Sequence, residues 1–165
     1  MKCFLTSLAL FALAAVGQSA LKPGDSLAFY EVKNTSGQTY CPICSLAMKE
    51  GKLVAFGKLN DEAFWSDLQQ LQALAKQYSP KLGVFAQIID SQDIAAVKAA
   101  AAKHGVKFPV VVPVEKDWDE KYQIKGVSRT ILYAVDENKI TWTGVGLEEE
   151  TAKKLAEKLR ADLAG

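Results

Sequence analysis

Three short apolar runs, Lys52 to Phe56, Leu82 to Ile89 and Val106 to Val112, divide the middle of this chain. Each has turn residues at its ends, the pattern of a strand buried on both faces. Between the first two, Phe64, Leu68, Leu71, Leu74, Ala75 and Tyr78 recur at helical spacing. Asn60 is the predicted N-cap of that helix, Asp61 and Glu62 fall in its first turn, and Ser79-Pro80 stops it. Ser91 is predicted to cap a second helix built from Ile94, Val97 and a run of alanines, ending at His104-Gly105. Buried strands alternating with helices predict parallel pairing through right-handed crossovers, hence an α/β sheet covered on both sides.

The flanks are less regular. Lys22-Pro23-Gly24-Asp25 reads as a turn, and Leu27 to Val32 alternates as an edge strand before the Asn34-Thr35-Ser36-Gly37 turn. Residues 115–124 read as a short helix, and Thr130 to Val135 with Lys139 to Thr143 as a hairpin around Asp136-Glu137-Asn138. Glu148 to Leu163 is an amphipathic helix with acidic residues first and lysines later, matching the helix dipole. Nothing in the order suggests a repeat or a linker that would divide the chain.

At 165 residues, with 49% hydrophobic and 24% charged positions, the chain has the size and balance of one globular domain. A net charge of +1, with no basic run and no aromatic residues interleaved with arginines, gives nothing that recommends nucleic acid or an acidic membrane surface as partner. Met1 to Ala20 changes the picture. Lys2, an apolar run from Phe4 to Val16 and the small or polar residues Gly17 to Ala20 follow the layout of a secretory signal peptide, with processing between Gly17 and Ala20. The run is too short for a stable membrane span. Residues 1–20 are therefore expected to be removed and 21–165 to form the exported domain, periplasmic or secreted. A retained N-terminal anchor is the alternative.

Processing removes Cys3 and leaves Cys41 and Cys44 in a compartment that permits disulfides. Two thiols with two residues between them can close a reversible disulfide. Tyr40 to Gly51 reads as a short helix with Cys41 as N-cap, Pro42 at the first helical position and Gly51 as the left-handed stop. A sulfur at the N-cap meets unpaired N–H groups, which lower a thiol below its free pKa of about 8.5. On this reading Cys41 is the accessible nucleophile and Cys44, one turn in, the covered resolving thiol. The competing reading is a structural disulfide in an exported protein. Tetrahedral zinc needs more Cys and His ligands than this pair and the single His104 provide, so a metal is not expected unless two chains share it, and no cofactor is assigned.

The order Gly24-Asp25-Ser26, Ser36-Gly37, Cys44-Ser45-Leu46 to Gly51-Lys52, Leu53 to Phe56, the long helix, Val84 to Asp90, Gly105 to Val112, Tyr122 to Val127 and Ile131 to Lys139 resembles the redoxin branch of the thioredoxin-like superfamily. That branch includes TlpA-type and ResA-type thiol-disulfide oxidoreductases and peroxiredoxins. The resemblance spans nearly the whole processed chain. It implies an α/β thioredoxin-like fold, a central mixed sheet with helices on both faces and an N-terminal strand extension, and a protein thiol or disulfide as partner. Two departures stand out. Where the family places its catalytic cysteines this chain reads Gly57-Lys58-Leu59-Asn60-Asp61-Glu62-Ala63-Phe64, and where it places a cis-proline this chain reads Gly126-Val127-Ser128-Arg129-Thr130. Cys41 and Cys44 lie upstream, in the connector ahead of the first buried strand.

Arg129 falls near the position of an activating arginine in peroxiredoxins, but is read here as a surface arginine at the start of a strand. His104 is read as a helix-closing residue, and Trp65, Trp118 and Trp142 as core or core-edge aromatics. The functional expectation is an exported thiol-disulfide oxidoreductase or redox sensor using Cys41 and Cys44. The alternative is a non-catalytic binding or structural module in which their disulfide only fixes the connector.

Overall fold

The computed structural model describes residues 20–124 and 127–164. The signal-peptide reading therefore lies outside the described residues, apart from Ala20, as do Lys125 and Gly126 of the stretches used for the resemblance.

A seven-stranded mixed sheet runs through the molecule. In chain order its elements are β1 (Val32–Asn34), β2 (Thr39–Tyr40), α1 (Pro42–Ser45), β3 (Gly51–Gly57), α2 (Glu62–Gln77), β4 (Leu82–Ile88), α3 (Ile94–Lys103), β5 (Val110–Pro113), α4 (Trp118–Tyr122), β6 (Thr130–Val135), β7 (Lys139–Val145) and α5 (Glu149–Leu163). The strand order is β2-β1-β5-β4-β3-β6-β7. The three apolar runs become β3, β4 and β5, which pair in parallel, while β1 and β6 join antiparallel on either side. The predicted hairpin is β6–β7.

Every residue of β3 and β4 is buried, because each strand has neighbours on both edges and side chains on both faces. Alternation divides them between two cores. Leu53, Ala55, Val84 and Ala86 face Phe64, Leu68 and Leu71 of α2 and Leu155, Leu159 and Leu163 of α5. Val54, Phe56 and Phe85 face the other way, toward Tyr30, Ile43, Val111, Tyr122 and Leu132. Burying a side chain such as Phe56 or Phe64 contributes about 1.5–3 kcal/mol. Gly57 is required by this packing, since a Cβ there would overlap the Phe64 ring.

The expected edge strand at Leu27 to Val32 does not form. Ser26 bridges Lys139 of β7, whereas Val32 pairs with Pro113 of β5 on the other side of the sheet. The intervening residues must cross the sheet face rather than join its ladder. They do so by burying Leu27 and Tyr30, while the Ala28 carbonyl accepts the Tyr122 hydroxyl at 2.8 Å. Tyr30 donates to Gln87 Oε1 at 2.6 Å, and burial raises its phenol pKa well above the ordinary value. Two predicted caps move by one or two residues: Asp61 rather than Asn60 caps α2, and Asp93 rather than Ser91 caps α3.

Candidate functional site: the Cys41–Cys44 connector

α1 is a single turn. Cys41 stands at its N-cap in extended conformation and Pro42 opens the helix, where a missing N–H removes no bond. Ser45 Oγ donates to the Pro42 carbonyl at 2.7 Å, and the helix ends at Leu46. The expected continuation to Gly51 is not seen. Gly51 is instead the first residue of β3, buried against Tyr133 and Leu82. The turn is held by Pro42 and Ile43, both buried, and by Leu46, which occupies the space left by the absent side chain of Gly83 at the start of β4.

Cys41 and Cys44 are joined by a disulfide with an S–S distance of 2.14 Å and a Cα–Cα distance of 5.3 Å. Cys41 Sγ also accepts the backbone N–H of Cys44 at 3.1 Å. A four-residue helix sums few peptide dipoles, so the positive potential α1 offers at Cys41 comes from this directed N–H rather than from a macrodipole. The expected accessibility is reversed. Cys44 is exposed, whereas Cys41 is partly buried and packs against the cluster that contains Ile43. Once Ile43 faces the core, helical rotation carries its neighbour Cys44 outward.

The pair does not occupy the layer of the family's usual site. α1 packs on the Val54–Phe56–Val111 side of the sheet, while α2 packs on the opposite side. At the start of α2, Asp61 Oδ1 accepts the N–H groups of Ala63 at 3.1 Å and Phe64 at 3.3 Å, which makes this an ordinary capped helix end. Glu62 pairs with Lys103 at 2.8 Å and lies 3.6 Å from His104 Nε2, and the Lys103 hydrogen bond holds its carboxyl below the usual value. His104 closes α3 as expected. Its ring stacks on Trp65 with centroids 5.0 Å apart, and Trp65 donates its indole N–H to the Leu59 carbonyl.

Arg129 is not a free surface residue. Its Nε and Nη2 bond both carboxylate oxygens of Asp67, at 2.8 and 3.0 Å, and Nη2 reaches Glu148 at 2.9 Å. Asp67, 1% exposed, also accepts the Leu147 N–H at 3.0 Å. The signal for this pair was present in the sequence: Asp67 falls between Phe64, Leu68 and Leu71 on the apolar stripe of α2, where a carboxylate needs a buried partner.

Among the described residues no group of three or more His, Cys, Asp or Glu side chains is arranged to hold a metal ion, and no helix is long and apolar enough to cross a membrane. No protein-family model matches the sequence, and no curated protein matches it. Solved structures do. A candidate protein disulfide isomerase from Bacteroides thetaiotaomicron superposes with a TM-score of 0.73 at 17% identity, covering 88% of this chain and 92% of that one. The thioredoxin domain of a thiol-disulfide oxidoreductase from Bacteroides vulgatus gives 0.71 at 17% identity, covering 84% and 98%. A thiol peroxidase from Chromobacterium violaceum gives 0.66 at 14% identity, covering 85% and 88%. At these identities the likeness is one of architecture, and the chain has the thioredoxin-like fold, with its cysteine pair in the connector ahead of the first parallel strand.

Proposed function

We propose that this protein is an exported thiol-disulfide oxidoreductase or redox sensor working through Cys41 and Cys44, with a protein thiol or disulfide as partner. The observation that carries the reading is the setting of the pair: Cys44 is an exposed residue, and the Cys41 sulfur receives a backbone N–H at 3.1 Å. An N–H aimed at a sulfur stabilises the thiolate that must form whenever the bond opens. Exposure of Cys44 provides the access that exchange requires. The thioredoxin-like fold is compatible with such chemistry without requiring it, since folds host many functions.

Equilibration of the pair against glutathione or dithiothreitol tests the proposal. A reduction potential between about −270 and −120 mV is expected for an exchanging pair, whereas one below about −300 mV belongs to a disulfide that only fixes the connector. Export is tested separately by intact-mass analysis of protein recovered from the envelope or medium. Residues 21–165 are proposed as the working domain, and the chain is expected to begin between Gln18 and Leu21. A mature chain that still carries Met1 or Lys2 would remove the compartment argument.

A further inference from the structure

Building on the exchange function proposed above, we propose that Cys44, the second cysteine of the pair, is the sulfur that bonds the partner, and that Cys41 is the sulfur released as thiolate. The first observation is access. Exchange proceeds by attack of a thiolate on one sulfur of the disulfide through a mixed-disulfide intermediate, so the attacked sulfur must be reachable. Cys44 is exposed, as are its neighbours Ser45, Ala47 and Met48, the last 95% exposed. Cys41 instead leans on the core cluster behind Ile43.

The second observation concerns the leaving sulfur. The better leaving group is the one whose thiolate is better stabilised. Cys41 Sγ already accepts the Cys44 N–H at 3.1 Å, so charge arriving there meets a donor already in place. Among the described residues no comparable donor is directed at Cys44 Sγ. Access and leaving-group stabilisation thus select the same direction of attack.

In the oxidising direction, a partner thiol loses its proton to solvent and its thiolate attacks Cys44 Sγ. The partner–Cys44 bond forms, the Cys41–Cys44 bond breaks, and the electron pair of that bond stays on Cys41 Sγ. A second partner thiolate then attacks the partner's own sulfur in the mixed disulfide and releases Cys44 as thiolate. The partner dithiol has lost two electrons and the pair has gained them. In the reducing direction, Cys44 attacks a partner disulfide and Cys41 resolves the adduct.

The test uses glutathione as the attacking thiol on the oxidised protein, at rising concentration until the disulfide opens. Acid quenching, alkylation of the freed thiol and fragmentation of the tryptic peptide between Lys33 and Lys49 then locate the adduct. Glutathione is expected on Cys44 and the alkyl group on Cys41, in at least about tenfold excess over the reverse arrangement. An equal mixture, or glutathione chiefly on Cys41, overturns the proposal. Single variants provide a second reading: compared per thiolate, with the ionised fraction taken from each variant's own alkylation pH profile, Cys41→Ser should form a mixed disulfide with oxidised glutathione about tenfold faster than Cys44→Ser, and equal rates per thiolate count against it. The two proposals fail separately. A pair that opens only under a large excess of thiol, yet carries the adduct on Cys44, ends the exchange function and leaves the direction of attack standing. Ready exchange with the adduct on Cys41 does the opposite.

Discussion

Asp67 and Arg129 form a two-pronged ion pair whose carboxylate is almost wholly buried. Arg129 adopts a φ of 60°, a region uncommon for residues other than glycine, and that strain is offset by the fork of hydrogen bonds it completes. Removing one partner of a buried pair strands the other. Asp67→Asn is therefore expected to lower unfolding stability by about 3 kcal/mol, the low end for such pairs because Arg129 retains some contact with solvent. Urea denaturation should show the shift in midpoint with an unchanged slope. Arg129→Lys keeps the charge but cannot reproduce the fork, and should cost about 1.5–3 kcal/mol by the same measurement. A stability within about 0.5 kcal/mol of the parent for both variants would show that the pair contributes little.

At the scale of elements, the cysteine pair stands in the connection into β3 rather than at the start of α2, where the family resemblance places it. The start of α2 holds a carboxylate cap where the resemblance expects sulfur, and α1 holds the sulfurs on the opposite face of the sheet. Asp61→Ala should then behave as loss of an N-cap, costing about 1 kcal/mol in thermal or urea unfolding. The exchange rate of the cysteine pair should not change. A large fall in exchange rate with stability intact would place Asp61 in the chemistry after all. Glu62→Ala should cost less than Asp61→Ala, since Glu62 is exposed and makes surface pairs only.

For the molecule as a whole, three glutamates at the surface, held below their ordinary pKa, each add a small contribution to stability that acid removes. Glu62 is lowered chiefly by its hydrogen bond from Lys103, Glu115 by that from Lys121, and Glu148 by its own backbone N–H and then by Arg129. A carboxyl whose pKa is lower in the folded state stabilises the fold fully above its unfolded value, here 4.5, and loses that contribution as pH falls through the folded value. Urea midpoints should therefore be level above about pH 5.5 and fall progressively below the ordinary glutamate range. Glu62→Gln, Glu115→Gln and Glu148→Gln combined should make that acid limb measurably shallower. An unchanged limb in the triple variant would assign it to other carboxylates.

Periodicity alone determined the parallel core, the long α2, the β6–β7 hairpin and α5, because those segments bury one face or both faces over enough residues to leave an unambiguous pattern. The sequence also identified Cys41 as an N-cap and Pro42 as the first helical residue, since both are choices made within one turn. What it could not determine depends on partners distant along the chain. The segment after Ser26 alternates like a strand, yet it crosses the sheet face because its two ends are held at β7 and β5. Gly51 resembles a helix stop, but pairing with Leu82 and Val135 draws it into β3. The reversed exposure of Cys41 and Cys44 arises because Ile43 must face the Val54–Phe56 core, and only the tertiary structure shows which side of α1 that is. Arg129 similarly finds Asp67, 62 residues away in sequence. Local chemistry was legible in the order of residues, whereas the face each group presents was decided when the sheet and its two cores assembled.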